Sequence, residues 1–254
     1  MPLTPEQLKK LSRKEKEEYL ALLEERERRI KQNVILRLYP EKGRLSRANY
    51  PKHIAFFKAG REHRERCVMA ANRIGKSFGI GGYETALHLT GEYPDWWEGR
   101  VFNDPVRAVA AGDTGTTVRD IGQSLLLGPP SDPGTGLVPG RLIEKTRPKA
   151  GGIPDAVESA YIKHKSGGLS QLVFKSYAEG RESFQGTEKD VIWLDEEPPL
   201  SIYGECLLRT MGTPTHPAGL ILCTFTPLLG MSDVVMMFLP NGKMPEGNVV
   251  RDAA

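Results

Sequence analysis

A chain of 254 residues, 39% hydrophobic and 26% charged, has ordinary globular composition and suffices for one large domain or one domain with appendages. It holds no run of about 18 apolar residues to span a bilayer, and its N-terminus is charged too early for a secretory signal, so a soluble, non-membrane protein is expected. Three scattered cysteines, Cys67, Cys206 and Cys223, suggest neither a disulfide framework nor a zinc site and fit a reducing cytoplasm, while a net charge of +3 and a pI near 8.7 allow a polyanionic partner without demanding one.

In chain order, residues 1–30 place Leu8, Leu11, Tyr19, Leu22, Leu23 and Ile30 on a rough helical stripe among charges of both signs, which predicts an exposed amphipathic helix. Residues 1–40 are read as this charged appendage. A basic, irregular stretch runs from Tyr39-Pro40 through Pro51. Short apolar runs then alternate with helical patterns, the signature of an α/β domain over residues 41–240. The runs CVMAA (67–71), VRAVAAG (106–112), QLVFKS (171–176), DVIWLDE (190–196) and GLILCTFT (219–226) are continuous rather than alternating. They therefore predict strands covered on both faces of a mostly parallel sheet. Helices are expected over 77–89, 116–127 and 201–211. The Gly/Pro-dense residues 128–152 read as a long surface excursion, and the polar residues 241–254 as a linker or an artificial end. No internal repeat is present.

Between the first strand and the first helix stands Ala70-Ala71-Asn72-Arg73-Ile74-Gly75-Lys76-Ser77, which follows the Gly-x-x-x-x-Gly-Lys-Ser/Thr pattern except that Ala70 replaces the first glycine. A tight loop there turns its amides inward around a β-phosphate, and the helix that follows presents its positive end. Lys76 then reaches the β- and γ-phosphates and Ser77 ligates magnesium. Ala70 requires the loop to begin without a positive φ. The strand Val191-Ile192-Trp193-Leu194 ends in Asp195-Glu196. Carboxylates at the rim of a parallel sheet emerge beside such a loop, Asp195 to hold magnesium and Glu196 to orient and deprotonate a water. A third strand, Leu220-Ile221-Leu222-Cys223, runs into Thr224-Phe225-Thr226-Pro227, whose hydroxyls are placed to sense a γ-phosphate or merely to end the strand in a turn.

The segments HIAFFKAGREHRERCVMAANRIGKS, FKSYAEGRESFQGTEKDVIWLDEEPP and LILCTFTPLLG together resemble the large terminase subunits of tailed bacteriophages, over roughly residues 1–240. The resemblance implies an additional-strand, RecA-like P-loop NTPase fold, with ATP and Mg2+ as cofactors. It also implies double-stranded DNA taken without regard to sequence, a portal protein and a small terminase subunit as partners, and ring assembly in the host cell cytoplasm. Residue by residue it assigns the nucleotide loop to Ala71, Asn72, Arg73, Ile74, Gly75, Lys76 and Ser77, the magnesium carboxylate to Asp195 and the catalytic glutamate to Glu196. Thr224 and Thr226 match the family's coupling motif, and His53 and Phe57 fall where the family contacts adenine. The transition-state arginine is left open among Arg73, inside the loop, Arg119 and Arg181. Large terminases continue into a nuclease domain that this chain lacks, so no nuclease activity is expected.

Three other readings stay open. A helicase-like motor would array aromatics with basic residues, and aromatics here are only 7%. A small-molecule phosphotransferase would need a lid, for which 128–152 is the candidate, although Asp195-Glu196 favours water as acceptor. A nucleotide-binding assembly domain would bind without turnover. Contacts to DNA are expected from lysines and arginines within 42–66 and 141–149, mainly to phosphates.

Overall fold

The computed structural model describes residues 7, 11–214, 217–228 and 230–239; Leu8 and the expected tail 241–254 lie outside the described residues. The first helix, α1 (Arg13–Lys31), is fixed at its start by Ser12: the Ser12 hydroxyl accepts from the Glu15 backbone N–H, and the Glu15 carboxylate accepts from that of Ser12. Of its apolar stripe, Leu22 and Ile30 are exposed and Tyr19 and Leu23 half-buried. No helix among the described residues is long and apolar enough to cross a membrane.

Helix α2 (Pro51–Ala59) leads into a seven-stranded sheet made of β1 (Glu65–Met69), β2 (Arg107–Gly112), β3 (Ile143–Pro148), β4 (Val157–Lys163), β5 (Leu169–Ser176), β6 (Val191–Asp195) and β7 (Leu220–Phe225). The strand order is β1-β7-β6-β2-β5-β4-β3. The first five in that order pair in parallel, and β4 and β3 extend the sheet antiparallel. The five expected strands all form. The sequence did not announce β3 and β4.

Alternation along each strand feeds two cores. Val191, Trp193, Leu220 and Leu222 join Ile80, Tyr83 and Leu87 on one face. That face is covered by a π-helical segment, Lys76–Gly82, continuing into α3 (Tyr83–Thr90), and by α4, wound in three pieces as Gly115–Thr117, the π-helical Val118–Gln123 and Ser124–Leu127. Ile192, Leu194, Ile221 and Cys223 face Ile202, Cys206 and Val235 of α5 (Leu200–Arg209) and α6 (Asp233–Phe238) on the other. Residues 128–152 are not the single surface excursion expected. Gly128 and Gly134, both at positive φ, turn the chain back so that the N–H groups of Leu137 and Val138 bond the Leu125 and Leu126 carbonyls, both side chains are buried, and β3 follows.

A buried ion pair ties α3 to β1. Arg66 donates to both Glu84 oxygens, at 3.0 and 2.7 Å, and His88 lies 3.2 Å from the same carboxylate. Burial alone would raise Glu84, but Arg66 and His88 reverse this and hold it below the usual carboxylate range. Glu84→Ala leaves the Arg66 guanidinium buried without a counter-charge. The expected loss is about 3–5 kcal/mol of folding stability, read as a lower midpoint in urea unfolding.

Candidate active site

The parallel strands β1, β2, β6 and β7 end at one rim of the sheet, so the loop after β1 and the acids at the end of β6 meet there. Ala70 keeps its N–H on the Phe225 carbonyl at 3.3 Å and takes no positive φ, which suits the alanine; Arg73 (φ 65°) and Gly75 (φ 88°) take the left-handed conformations instead. Helical winding begins at Lys76, one residue before the expected 77, and its first turn is π-helical. The π-helical turn brings this segment close to its neighbours. A Cβ on Gly81 would lie 2.1 Å from Trp193 Nε1, and the Gly79 carbonyl accepts from the Tyr39 hydroxyl at 2.5 Å.

Lys76 is buried, and its ammonium donates to the Ala70 carbonyl, the Ala71 carbonyl and Thr226 Oγ1, each at 2.8 Å. Burial pulls Lys76 below its ordinary pKa, and nearby Asp195 opposes that. Ser77 Oγ donates to Asp195 Oδ1 at 2.8 Å across 118 residues of sequence. A hydroxyl and a carboxylate at this distance are hard oxygen donors, the kind magnesium takes beside phosphate oxygens. The residues therefore fit the ion that the sequence implies.

Asp195 is 7% exposed and burial raises its pKa, against hydrogen bonds from Thr224 and Ser77 and the charge of Lys76. Glu196 is exposed, yet partial burial and then the carboxylates of Asp195 and Asp113 raise it too, against a bond from the Asp113 backbone N–H. A raised carboxyl is suited to accepting a proton near neutral pH. The backbone at Glu196 turns at φ 67°, a left-handed conformation for a side-chain-bearing residue. It is held by its own N–H on the Thr224 carbonyl at 3.1 Å and by the Tyr177 hydroxyl, which reaches the carbonyls of Asp195 (3.0 Å) and Glu196 (3.1 Å). Beside the acids, a small cleft opens between the end of β2, α4 and β6, lined by Gly112, Thr117, Ile121, Trp193, Asp195 and Glu196.

Strand β7 lies between the other two, and its paired threonines touch both. Thr224 Oγ1 donates to Asp195 Oδ1 at 2.7 Å. Thr226 Oγ1 lies 2.8 Å from the Ala70 carbonyl and 2.8 Å from Asn72 Oδ1, besides accepting from Lys76. The structure thus brings these residues together at the rim in two hydrogen-bonded sets, Asn72, Lys76 and Thr226 in one and Ser77, Asp195 and Thr224 in the other.

The remaining expected residues stand differently. Phe57 is 1% exposed, in an aromatic cluster with Tyr39, Tyr83 and Trp97, so its ring belongs to the core and is not presented to adenine. His53 is buried as well. Its Nδ1 is 2.6 Å from the Tyr39 hydroxyl, and its ring backs the loop at Gly75 and Gly79. Arg119 donates to Asp120 and to the Pro154 carbonyl, and Arg181 is paired with Glu205 at 3.0 Å. Arg73, exposed within the loop, forms no ion pair among the described residues. Sequence reasoning missed Tyr39, Tyr177 and Trp193, which clamp the loop and the acids; the run Gly79-Ile80-Gly81-Gly82 inside a helix was the one available signal of close approach.

Residues 67–250 match the family described as terminase large subunit, T4likevirus-type, N-terminal. The terminase large subunit of Salmonella phage P22 is 37% identical over 254 residues, covering 92% of this chain and 48% of that protein, so this chain spans about half of that relative's length. Among solved structures, the large terminase of the thermophilic bacteriophage D6E aligns with TM-score 0.42 and 12% identity, over 68% of this chain and 37% of that one. Its complex with ADP aligns with TM-score 0.40 and 13% identity, over 69% and 37%.

The raised pKa of Asp195 has a consequence for stability. A carboxyl whose folded-state pKa exceeds its unfolded value contributes stability below the unfolded pKa and loses it as pH rises through the folded one, so at neutral pH the ionised group is a net cost. Asp195→Asn keeps the acceptor for Ser77 and Thr224 and removes the charge. The expected outcome in differential scanning calorimetry at pH 7 is a higher melting midpoint, with each kcal/mol recovered worth about 2–4 °C.

Proposed function

The chain belongs to the large-terminase family, and from that premise we propose that it is a magnesium-dependent ATPase motor that hydrolyses ATP to drive double-stranded DNA into a procapsid. The observation that carries the reading is the hydrogen bond from Ser77 to Asp195. It joins the phosphate loop to the acidic strand end at one point on the sheet rim. In this reading the loop amides and Lys76 hold the phosphates, and Ser77 and Asp195 hold magnesium. When bound, the ion would supply positive charge against that developing on the phosphate oxygens. Glu196, raised and solvent-facing beside the cleft, orients and deprotonates the attacking water. Arg73 is the arginine best placed to act within its own subunit, because Arg119 and Arg181 already have local partners. The motor works in the host cytoplasm as a ring of subunits on the portal protein, supplied with DNA by the small terminase subunit.

A surface for DNA follows from sheet register. Lys145, Tyr161, Gln171 and Arg107 lie opposite one another across β3, β4, β5 and β2, a row about 14 Å long at roughly 4.8 Å per strand. Lys145 and Arg147 flank the Tyr161 ring at 4.6 and 5.3 Å, and neither has a carboxylate within ion-pairing distance among the described residues. Arg107, by contrast, is balanced by Glu188 and Asp190. A flat row with free cations suits a phosphate backbone and reads no bases.

Lys76→Ala is expected to abolish ATP turnover, and Glu196→Gln to lower it by about two to four decades with nucleotide still bound, measured as phosphate release. Lys76-dependent binding without turnover in the unaltered chain would instead favour an assembly domain. For the DNA surface, Lys145→Ala/Arg147→Ala should flatten the slope of log affinity against log salt by about 2 for a random-sequence duplex, measured by fluorescence anisotropy, with basal turnover unchanged.

A further inference from the structure

Trp193 is 0% exposed in the middle of β6, two residues before the magnesium carboxylate. Its indole N–H donates to Thr224 Oγ1 at 2.7 Å. A hydroxyl that accepts on one side has its own proton directed elsewhere, and Thr224 directs it to Asp195 Oδ1, 2.7 Å away. Ser77 also donates to that oxygen. Two hydroxyl protons on Oδ1 leave Oδ2 as the outward acceptor. The chain runs indole, threonine, aspartate, serine, with every group buried except Ser77, which is half-buried.

We infer that Trp193 is a positioning residue for hydrolysis: through Thr224 it fixes which Asp195 oxygen faces the magnesium-bearing nucleotide. The inference rests on the ATPase reading above. Its placement is narrow on the helix side as well. A Cβ on Gly81 would lie 2.1 Å from Trp193 Nε1, so a glycine stands in a helical turn, where it is less favourable than alanine. An apolar core position needs only a ring. A buried indole N–H also needs an acceptor, and the acceptor here is one of the two hydroxyls that donate to the magnesium carboxylate.

Four variants and one measurement on the unaltered chain test this. Trp193→Phe keeps a buried ring and removes the donor; kcat should fall about tenfold with KM for ATP within about twofold, and the magnesium midpoint should move upward. Thr224→Val should do the same or more. Because both act along one chain, the double variant should be no slower than Thr224→Val alone, and Thr224→Ser should retain turnover. A residue that only fills the core would lower the melting midpoint, leave kcat and the magnesium response intact, and multiply with Thr224→Val; either result overturns the inference. Where Trp193→Phe fails to fold, nitrogen-15 spectra of the unaltered chain decide. The most exchange-protected of the three indole N–H signals should shift when magnesium is added to the ADP-loaded chain, while those of Trp96 and Trp97 stay. A stationary Trp193 signal with nucleotide bound overturns the inference alone. No nucleotide binding at all removes the ATPase reading with it.

Discussion

Parallel pairing of β7 with both β1 and β6 fixes where the phosphate loop stands relative to the acidic strand end. Neighbouring strands are about 4.8 Å apart, and β7 leaves a gap between the loop and the acidic strand end that Ser77 crosses directly. Thr224 and Thr226 fill that gap. Two residues apart on one strand, they lie on one face of it, yet one reaches Asp195 and the other reaches Ala70, Asn72 and Lys76. The register pair Asp195 and Thr224 puts the first contact in place, and the Ala70 N–H on Phe225 continues the ladder just far enough to put the second there. A slip of one residue in β7 would turn both hydroxyls away.

Around this frame, the groups with chemical work to do sit in conformations or environments that folding alone would avoid. Arg73 and Glu196 occupy left-handed backbone, at a cost of about 1–3 kcal/mol each. Asp195 stands where burial opposes its charge, and Lys76 is buried with it. These costs are offset nearby. Tyr177 caps the Glu196 turn, Tyr39 and His53 hold Gly79 from behind, and the Arg66–Glu84 pair anchors the helix that begins at Lys76. Strained groups at the rim thus rest on buried, hydrogen-bonded partners one layer below.

How much of this was legible depended on whether a residue's role left a mark on its neighbours in sequence. The site strands were readable because a strand buried on both faces must be apolar throughout, as in Val191–Leu194 and Leu220–Cys223, and the acid or hydroxyl that ends each run stands out. The phosphate loop was readable because its geometry restricts residue type at Gly75, Lys76 and Ser77. β3 left no such mark, since Ile143 is its one half-buried position and Glu144–Pro148 are exposed. Nor did Tyr39, whose function is to bond a carbonyl 40 residues away. Phe57 was misplaced at the nucleotide for the same reason: a ring beside a functional histidine reads alike whether it faces a ligand or the core, and four surrounding aromatics supplied by distant segments decide for the core.

The hydrogen-bond inventory of Lys76 leads one step further. An ammonium has three donors, and here all three are engaged, two on loop carbonyls and one on Thr226. A phosphate that draws on this lysine must therefore displace at least one protein acceptor. If a carbonyl is released, the loop loosens at Ala70 or Ala71, the residues that join it to β1. If Thr226 is released, its hydroxyl loses a charged donor and keeps only Ala70 and Asn72, both within the loop. Release of Ala70 or of Thr226 would be felt at the end of β7, whose other threonine is bonded to Asp195. Occupancy of the loop and the setting of the acidic carboxylate are then linked through a single strand, by hydrogen bonds that cannot all be made at once.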